Sequence, residues 1–185
     1  VKIGEYTLKT NVARRKASFY KNAVTSIQSS LKGMLGSILK KKDAKRTDIW
    51  IFSNGDQFSM MTGVRKEDGG FWRRTEQLIA TYHGAPEEKG GTTGILARMM
   101  AYDWIERCTA RGAVVAPWFV EGVAGYFEAA KFDRRGRCKL GGLQRQAVIT
   151  LKGLLQNGQL PRITDLVRAP RARFNDTYKL AAWSL

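Results

Sequence analysis

Residues 117–128 read Pro117-Trp118-Phe119-Val120-Glu121-Gly122-Val123-Ala124-Gly125-Tyr126-Phe127-Glu128. A proline suits the first turn of a helix, where its missing N–H is not needed, so this stretch predicts a short helix from Pro117 through Glu128. Upstream, the loop 84–91, with Pro86, Gly90 and Gly91, gives way at Thr92 or Thr93, either of which would cap a helix running to about Arg111. Downstream, Leu140, Leu143, Ala147, Leu151 and Leu154 draw another amphipathic stripe. Residues 92–185 therefore form an expected helical half. The other side of the loop reads differently. Val1, Ile3, Tyr6 and Leu8 predict an edge strand, and Phe19, Ala23, Ile27, Leu31, Leu35 and Ile38 recur as one face of a long helix that stops in a lysine cluster. Asp48–Phe52 reads as a buried strand, Gln57–Met61 as a short helix, Gly69-Gly70 as a turn before Phe71-Trp72, and Leu78–Tyr82 as a further strand. Residues 1–91 are thus an α/β half, a small mixed sheet with one long helix. The expected class is α+β, a single domain over 1–185 without internal repeats.

The chain has 185 residues, 43% hydrophobic and 10% aromatic, which suits a globular core and excludes disorder. No apolar run reaches the length of a membrane span and the N-terminus lacks the apolar core of a signal peptide, so the chain reads as soluble. It begins with Val rather than Met, which leaves the compartment open, export through a removed N-terminal signal included. Cys108 and Cys138 fit either two free thiols or one disulfide, depending on that compartment. Charge is the distinctive quantity: 32 Lys and Arg stand against 16 Asp and Glu, a formal +16. Residues 1–47 hold twelve basic and two acidic residues, residues 48–130 eight and eleven, and residues 131–173 eleven and two. Two basic flanks thus surround an acidic middle. The densest clusters are Arg14, Arg15 and Lys16; Lys40, Lys41 and Lys42 with Lys45 and Arg46; and Arg134, Arg135 and Arg137 with Lys139. They fit a solvated helix face with two loops, or a surface that contacts a polyanion.

The 117–128 stretch resembles the glutamate helix of gluzincin metallopeptidases, a P-x-W-x-x-E-G-x-A-x-Y pattern that carries the third zinc ligand, here Glu121. The strand Ile49–Ser53, the Asp56-Gln57-Phe58 helix and the Gly-Gly-Phe-aromatic turn at Gly69 are similar to the uncharacterised, peptidase-like branch of that family, in the same order. The resemblance covers nearly the whole chain and implies a zincin fold that continues past Leu185. It also implies an H-E-x-x-H helix with two zinc-binding histidines and a general-base glutamate. Eighteen residues separate Tyr102 from Glu121, the family's common interval, which places that frame on Arg98-Met99-Met100-Ala101-Tyr102.

Both histidine positions and the base position have been lost, to Arg98, Tyr102 and Met99, and a guanidinium is never a zinc ligand. No catalytic residue, metal or cofactor is therefore expected. Arg98 and Tyr102, four apart on one helical face, should instead point at Glu121, giving an Arg98–Glu121 ion pair with a hydrogen bond from the Tyr102 hydroxyl. Other chemistry is weaker. His83 reads as surface or satisfied core, Asp103 and Glu106 as solvated partners of Lys or Arg, the glycine pairs as turns without phosphate-loop spacing, and the five tryptophans as core anchors. The expected function is that of a catalytically inactive, pseudopeptidase scaffold whose basic flanks contact a polyanion, nucleic acid or an anionic envelope surface, or a large assembly. The alternatives are a hydrolase with a non-standard metal site using Glu121, Asp103 or His83, and a structural subunit that binds a protein.

Overall fold

Two strands rather than one open the chain. Lys2–Ile3 (β1) and Tyr6–Thr10 (β2) pair antiparallel around a turn at Gly4, which has a φ of 51°. Ile3, Tyr6 and Leu8 are all buried, but Tyr6 lies three positions after Ile3, an odd step that a continuous strand cannot place on one face. The computed structural model describes residues 1–37, 45–109, 113–143, 145–174 and 176–183.

After β2 comes the helix Arg14–Leu35 (α1), which buries Tyr20, Ala23, Val24, Ile27, Leu31 and Leu35 and leaves Phe19 half-buried. The expected stripe is present, and the helix ends at Gly36, before the lysine cluster. Ile38 and Lys40–Lys42 lie outside the described residues. Because α1 carries the chain back, Thr47–Phe52 (β3) pairs parallel with β2, from Tyr6↔Thr47 to Thr10↔Ile51. Gly55–Thr62 (α2) follows, capped by the Asn54 side chain, which accepts a hydrogen bond from the Gln57 N–H at 2.9 Å. Gly70–Arg73 (β4) and Leu78–Tyr82 (β5) are antiparallel neighbours, and β5 is parallel to β3. The sheet is therefore mixed, in the order β1-β2-β3-β5-β4, with β4 at an edge and all five residues of β5 buried.

Gly91–Cys108 (α3) begins one residue before the two candidate threonine caps. Thr92 instead staples the end of β5: its hydroxyl donates to the Tyr82 carbonyl at 2.8 Å and accepts from the N–H groups of Gly84 and Ala85. Leu96, Ala97, Met100, Ala101 and Trp104 of α3 join the sheet and α1 in the main core. Pro117–Glu128 (α4) has the predicted bounds and packs on α3. The approach is close because position 94 has no side chain; a Cβ there would stand 2.9 Å from the Glu128 carbonyl oxygen.

A two-stranded hairpin, Lys131–Phe132 (β6) with Cys138–Lys139 (β7), follows, and coil at 140–143 takes the place of the expected start of the next helix. That helix, Arg145–Gln156 (α5), excludes Leu140 and the exposed Leu143, whose spacing imitated a stripe. Ile163–Arg168 (α6) and Asp176–Trp183 (α7) close the chain around Leu166, Ala169, Phe174, Ala181 and Ala182. Both cysteines are free thiols. Among the described residues no helix is long and apolar enough to cross a membrane. The architecture is α+β, with a mixed sheet and, among the described residues, seven α-helices.

Candidate functional site

Arg98 and Tyr102, one turn apart on α3, face Glu121 of α4, and a network of five side chains forms between the helices. The Tyr102 hydroxyl accepts a hydrogen bond from Arg98 Nε at 3.1 Å and donates one to Glu121 Oε2 at 2.7 Å. Arg98 approaches Glu121 at 3.7 Å, so the expected ion pair exists, but its shorter carboxylate contact is Glu128, at 3.2 Å. The other oxygen of Glu121 is held by Arg171 at 2.9 Å. Two guanidinium groups thus balance two carboxylates, as buried charge requires. Exposure is unequal: the side chains of Glu121, Glu128 and Arg98 are 2%, 4% and 23% exposed, while that of Arg171 is 66% exposed.

Protonation follows from this packing. Burial raises the pKa of Tyr102, the Glu121 charge adds to the rise, and the neighbouring Arg98 opposes it, so the hydroxyl keeps its proton. Burial alone would weaken protonation of Arg98, but Tyr102, Glu128 and Glu121 outweigh it and its pKa lies above the ordinary value. Both oxygens of Glu121 accept from neighbours, which is the arrangement of a structural counter-charge rather than a poised base.

The site opens on a cleft of about 790 Å³. Its walls include Trp72 of the edge strand β4, Met99 and Tyr102 of α3, Val120 and Glu121 of α4, and Arg171. Trp72 stacks on Tyr102, ring centroids 6.2 Å apart, and also packs against the main core, so this tryptophan is both a core residue and a wall of the cleft. Zinc requires imidazole, thiolate or carboxylate donors. A guanidinium at Arg98, a thioether at Met99 and a phenol committed to Glu121 at Tyr102 do not fit that ion. Among the described residues no three His, Cys, Asp or Glu side chains converge as metal ligands.

The remaining candidates are dispersed. His83 Nδ1 lies 2.7 Å from the Tyr20 hydroxyl, and burial and Lys16 lower its pKa. Asp103 is not solvated: it is buried, accepts from Thr47 Oγ1 at 2.8 Å, and stands 3.6 Å from Arg107. Glu106 does pair with an arginine, Arg74. Of the basic clusters, Arg14, Arg15 and Lys16 are exposed at the start of α1, Lys45 and Arg46 are exposed just before β3, and Arg134, Arg135, Arg137 and Lys139 are exposed on the β6–β7 hairpin. Lys40, Lys41 and Lys42 fall outside the described residues.

Glu128 and Arg171 were missed from sequence. Glu128 lies seven residues, nearly two turns, after Glu121 and hence on the same face of α4, a signal that was present. Arg171 arrives from a 3-10 turn fifty residues downstream of Glu121, and no local pattern announces it. Comparison with protein families and with characterised proteins finds no match to this chain, so the geometry alone carries its interpretation.

Proposed function

We propose that this chain is a binding or scaffold domain on a gluzincin-like frame, without peptidase chemistry at the Arg98–Tyr102–Glu121 position, and that its exposed basic clusters contact a polyanion. The observation that carries the reading is the charge-balanced network of Arg98, Tyr102, Glu121, Glu128 and Arg171, whose groups satisfy one another at positions that a gluzincin frame would give to a metal and its ligands. Fold resemblance alone assigns no function; the second support is a formal charge of +16, sufficient to attract polyanions over a distance.

The purified protein should contain no stoichiometric zinc and cleave no peptide above background. One equivalent of zinc, lost together with activity on Glu121→Ala, would overturn the reading. The frame itself is tested by the triple variant R98H/M99E/Y102H, which should gain one zinc per chain by elemental analysis and lose it again when Glu121→Ala is added. A folded triple variant that takes up no zinc would show that the three positions do not form a zincin frame. The cleft beside Tyr102, apolar on Trp72, Met99 and Val120, favours a second contact with an apolar group of a protein partner.

A further inference from the structure

The basic flanks are remote in sequence, yet the fold seats the hairpin of the second against the helix of the first. The Asn22 side-chain amide donates to the Arg135 carbonyl at 2.9 Å, and the Cys138 N–H donates to Ser26 Oγ at 2.8 Å. Gly136, at a φ of 80°, presses on α1 so closely that a Cβ there would lie 2.5 Å from the Phe19 carbonyl oxygen. The hairpin loop is therefore moulded to the middle of α1. Seven residues before Asn22, nearly two full turns, Arg15 lies on the same stripe of α1, about 10 Å up the axis. Arg14 and Lys21 occupy the adjoining exposed stripe, whereas Lys16, two residues on from Arg14, falls on another side of the helix.

We infer that Arg14, Arg15 and Lys21 of α1, together with Arg134 and Arg135 of the hairpin, form one continuous surface that binds the phosphodiester backbone of a nucleic-acid duplex. This deepens the polyanion reading and rests on it. Arg134 and Arg135 have no ion pair among the described residues, while Arg137 is held by Asp133 at 2.6 Å, so the first two present their charge outward. Ser18 lies between the basic side chains and offers a hydroxyl donor of the kind that contacts phosphate oxygens, while the Thr25 hydroxyl is already donated to the Lys21 carbonyl at 2.9 Å. Membrane-binding helices add large apolar residues that enter the lipid. None of the exposed large hydrophobic residues lies on residues 14–29 or 131–139, so the surface fits phosphates without a bilayer beneath them. Binders of single strands stack bases on exposed aromatic rings, and this face presents no such exposed ring, which favours a duplex contacted through its backbone.

Lys45 and Arg46 belong to another place. Arg14 follows the end of β2, but Thr47 pairs with Tyr6 at its beginning, where Gly4 lies against Gln28 of α1, so these two residues sit toward the opposite end of β2, about 20 Å along α1 from Arg14. The location is therefore testable apart from the charge. A 20-base-pair duplex of mixed sequence should bind the wild-type chain with log-linear salt dependence. R15Q/R134Q/R135Q should weaken it about tenfold or more near 100 mM salt and flatten the salt slope by about 2.7, some 0.9 for each phosphate no longer neutralised. The pair K45Q/R46Q should change affinity less than about twofold. Because Arg135 is held through its carbonyl, its side chain can be changed with the hairpin still docked. Conversely, N22A/S26A alters no charge but removes both docking hydrogen bonds, and should weaken the duplex about threefold.

No duplex binding at any moderate salt would overturn this inference and the polyanion reading together. Binding abolished by K45Q/R46Q but indifferent to R15Q/R134Q/R135Q would keep the polyanion reading and overturn the surface. Unchanged affinity in a folded N22A/S26A variant would show two independent patches. Stronger binding to phosphatidylserine vesicles than to the duplex, abolished by changing the same arginines, would make lipid the partner and overturn the nucleic-acid assignment.

Discussion

The α3–α4 junction and the α1–hairpin face are both built from arginines, and they use them in opposite ways. Between α3 and α4, Arg98 sits against Glu128 and Glu121 in a buried space, where every charge has an opposite one within 4 Å. On the α1–hairpin face, Arg15, Arg134 and Arg135 are exposed and the nearest acid, Asp133, is spent on the hairpin's own turn. The difference teaches where a basic protein keeps its structure and where it keeps its reach. A guanidinium balanced in a low-dielectric interior fixes the register of two helices, while one left in water contributes almost nothing to stability and remains available to an anionic partner.

The largest effect should come from removing Arg98. In Arg98→Met, Glu128 loses its Arg98 contact and the only cation left beside Glu121 among the described residues is the exposed Arg171, with the Tyr102 hydroxyl, so urea unfolding should show a loss of about 3–5 kcal/mol. Arg171→Ala, by contrast, removes a group in contact with water and should cost below about 1 kcal/mol. Equal costs for the two would break the contrast between buried and exposed arginine. Next in size is Gly94→Ala, which sets a methyl group against the Glu128 carbonyl and should cost about 1–3 kcal/mol through overpacking of α3 on α4.

A smaller effect belongs to pH. Burial raises the pKa of Asp103, while Thr47, Arg107, Tyr6 and Trp72 partly counter or shape that rise. A carboxyl whose folded pKa exceeds its unfolded value of about 3.9 contributes stability below that value and loses it as pH rises through the folded pKa. Asp103→Asn keeps an oxygen for Thr47 and removes the titration. Its stability relative to wild type should therefore improve between pH 4 and pH 7, read as the difference in urea midpoints. A constant difference across that range would mean that Asp103 ionises in the fold as it does in water.

How much of this was legible depended on whether a signal was local. The α4 bounds followed from Pro117, the α1 face from a stripe of large apolar residues, and the meeting of Arg98, Tyr102 and Glu121 from the resemblance to a gluzincin frame and its motif interval. Failures arose where tertiary contact overrode local pattern. Thr92 resembles a helix cap but bonds to the end of β5, because the chain turns back there and leaves the Tyr82 carbonyl within reach. Leu140 and Leu143 imitate a helical stripe in the coil that follows a hairpin whose Gly136 matters only because Phe19, more than a hundred residues earlier, lies beneath it. Asp103, read as solvated beside so many basic residues, is sealed by Thr47 at the start of β3, a partner 56 residues away.

The smallest effect is also the sharpest on the exposed side of the comparison. Asp133 lies in the hairpin turn, where its carboxylate accepts from the N–H groups of Arg135 and Arg137 and from Arg137 Nε. These bonds hold its pKa low, the backbone bond from Arg137 foremost, so it stays ionised through the neutral range. Asp133→Ala removes a negative charge and would strengthen duplex binding if net charge alone set affinity. It also removes the bonds that shape the loop carrying Arg134 and Arg135, and arginines on a loosened loop must be ordered at the moment of binding. With the hairpin acting as a preformed part of the surface, affinity should fall about threefold despite the gain in positive charge, while thermal unfolding barely moves. A rise in affinity would reduce the α1–hairpin face to a count of charges. The contrast with the α3–α4 junction would then be one of burial only, with no role for built shape.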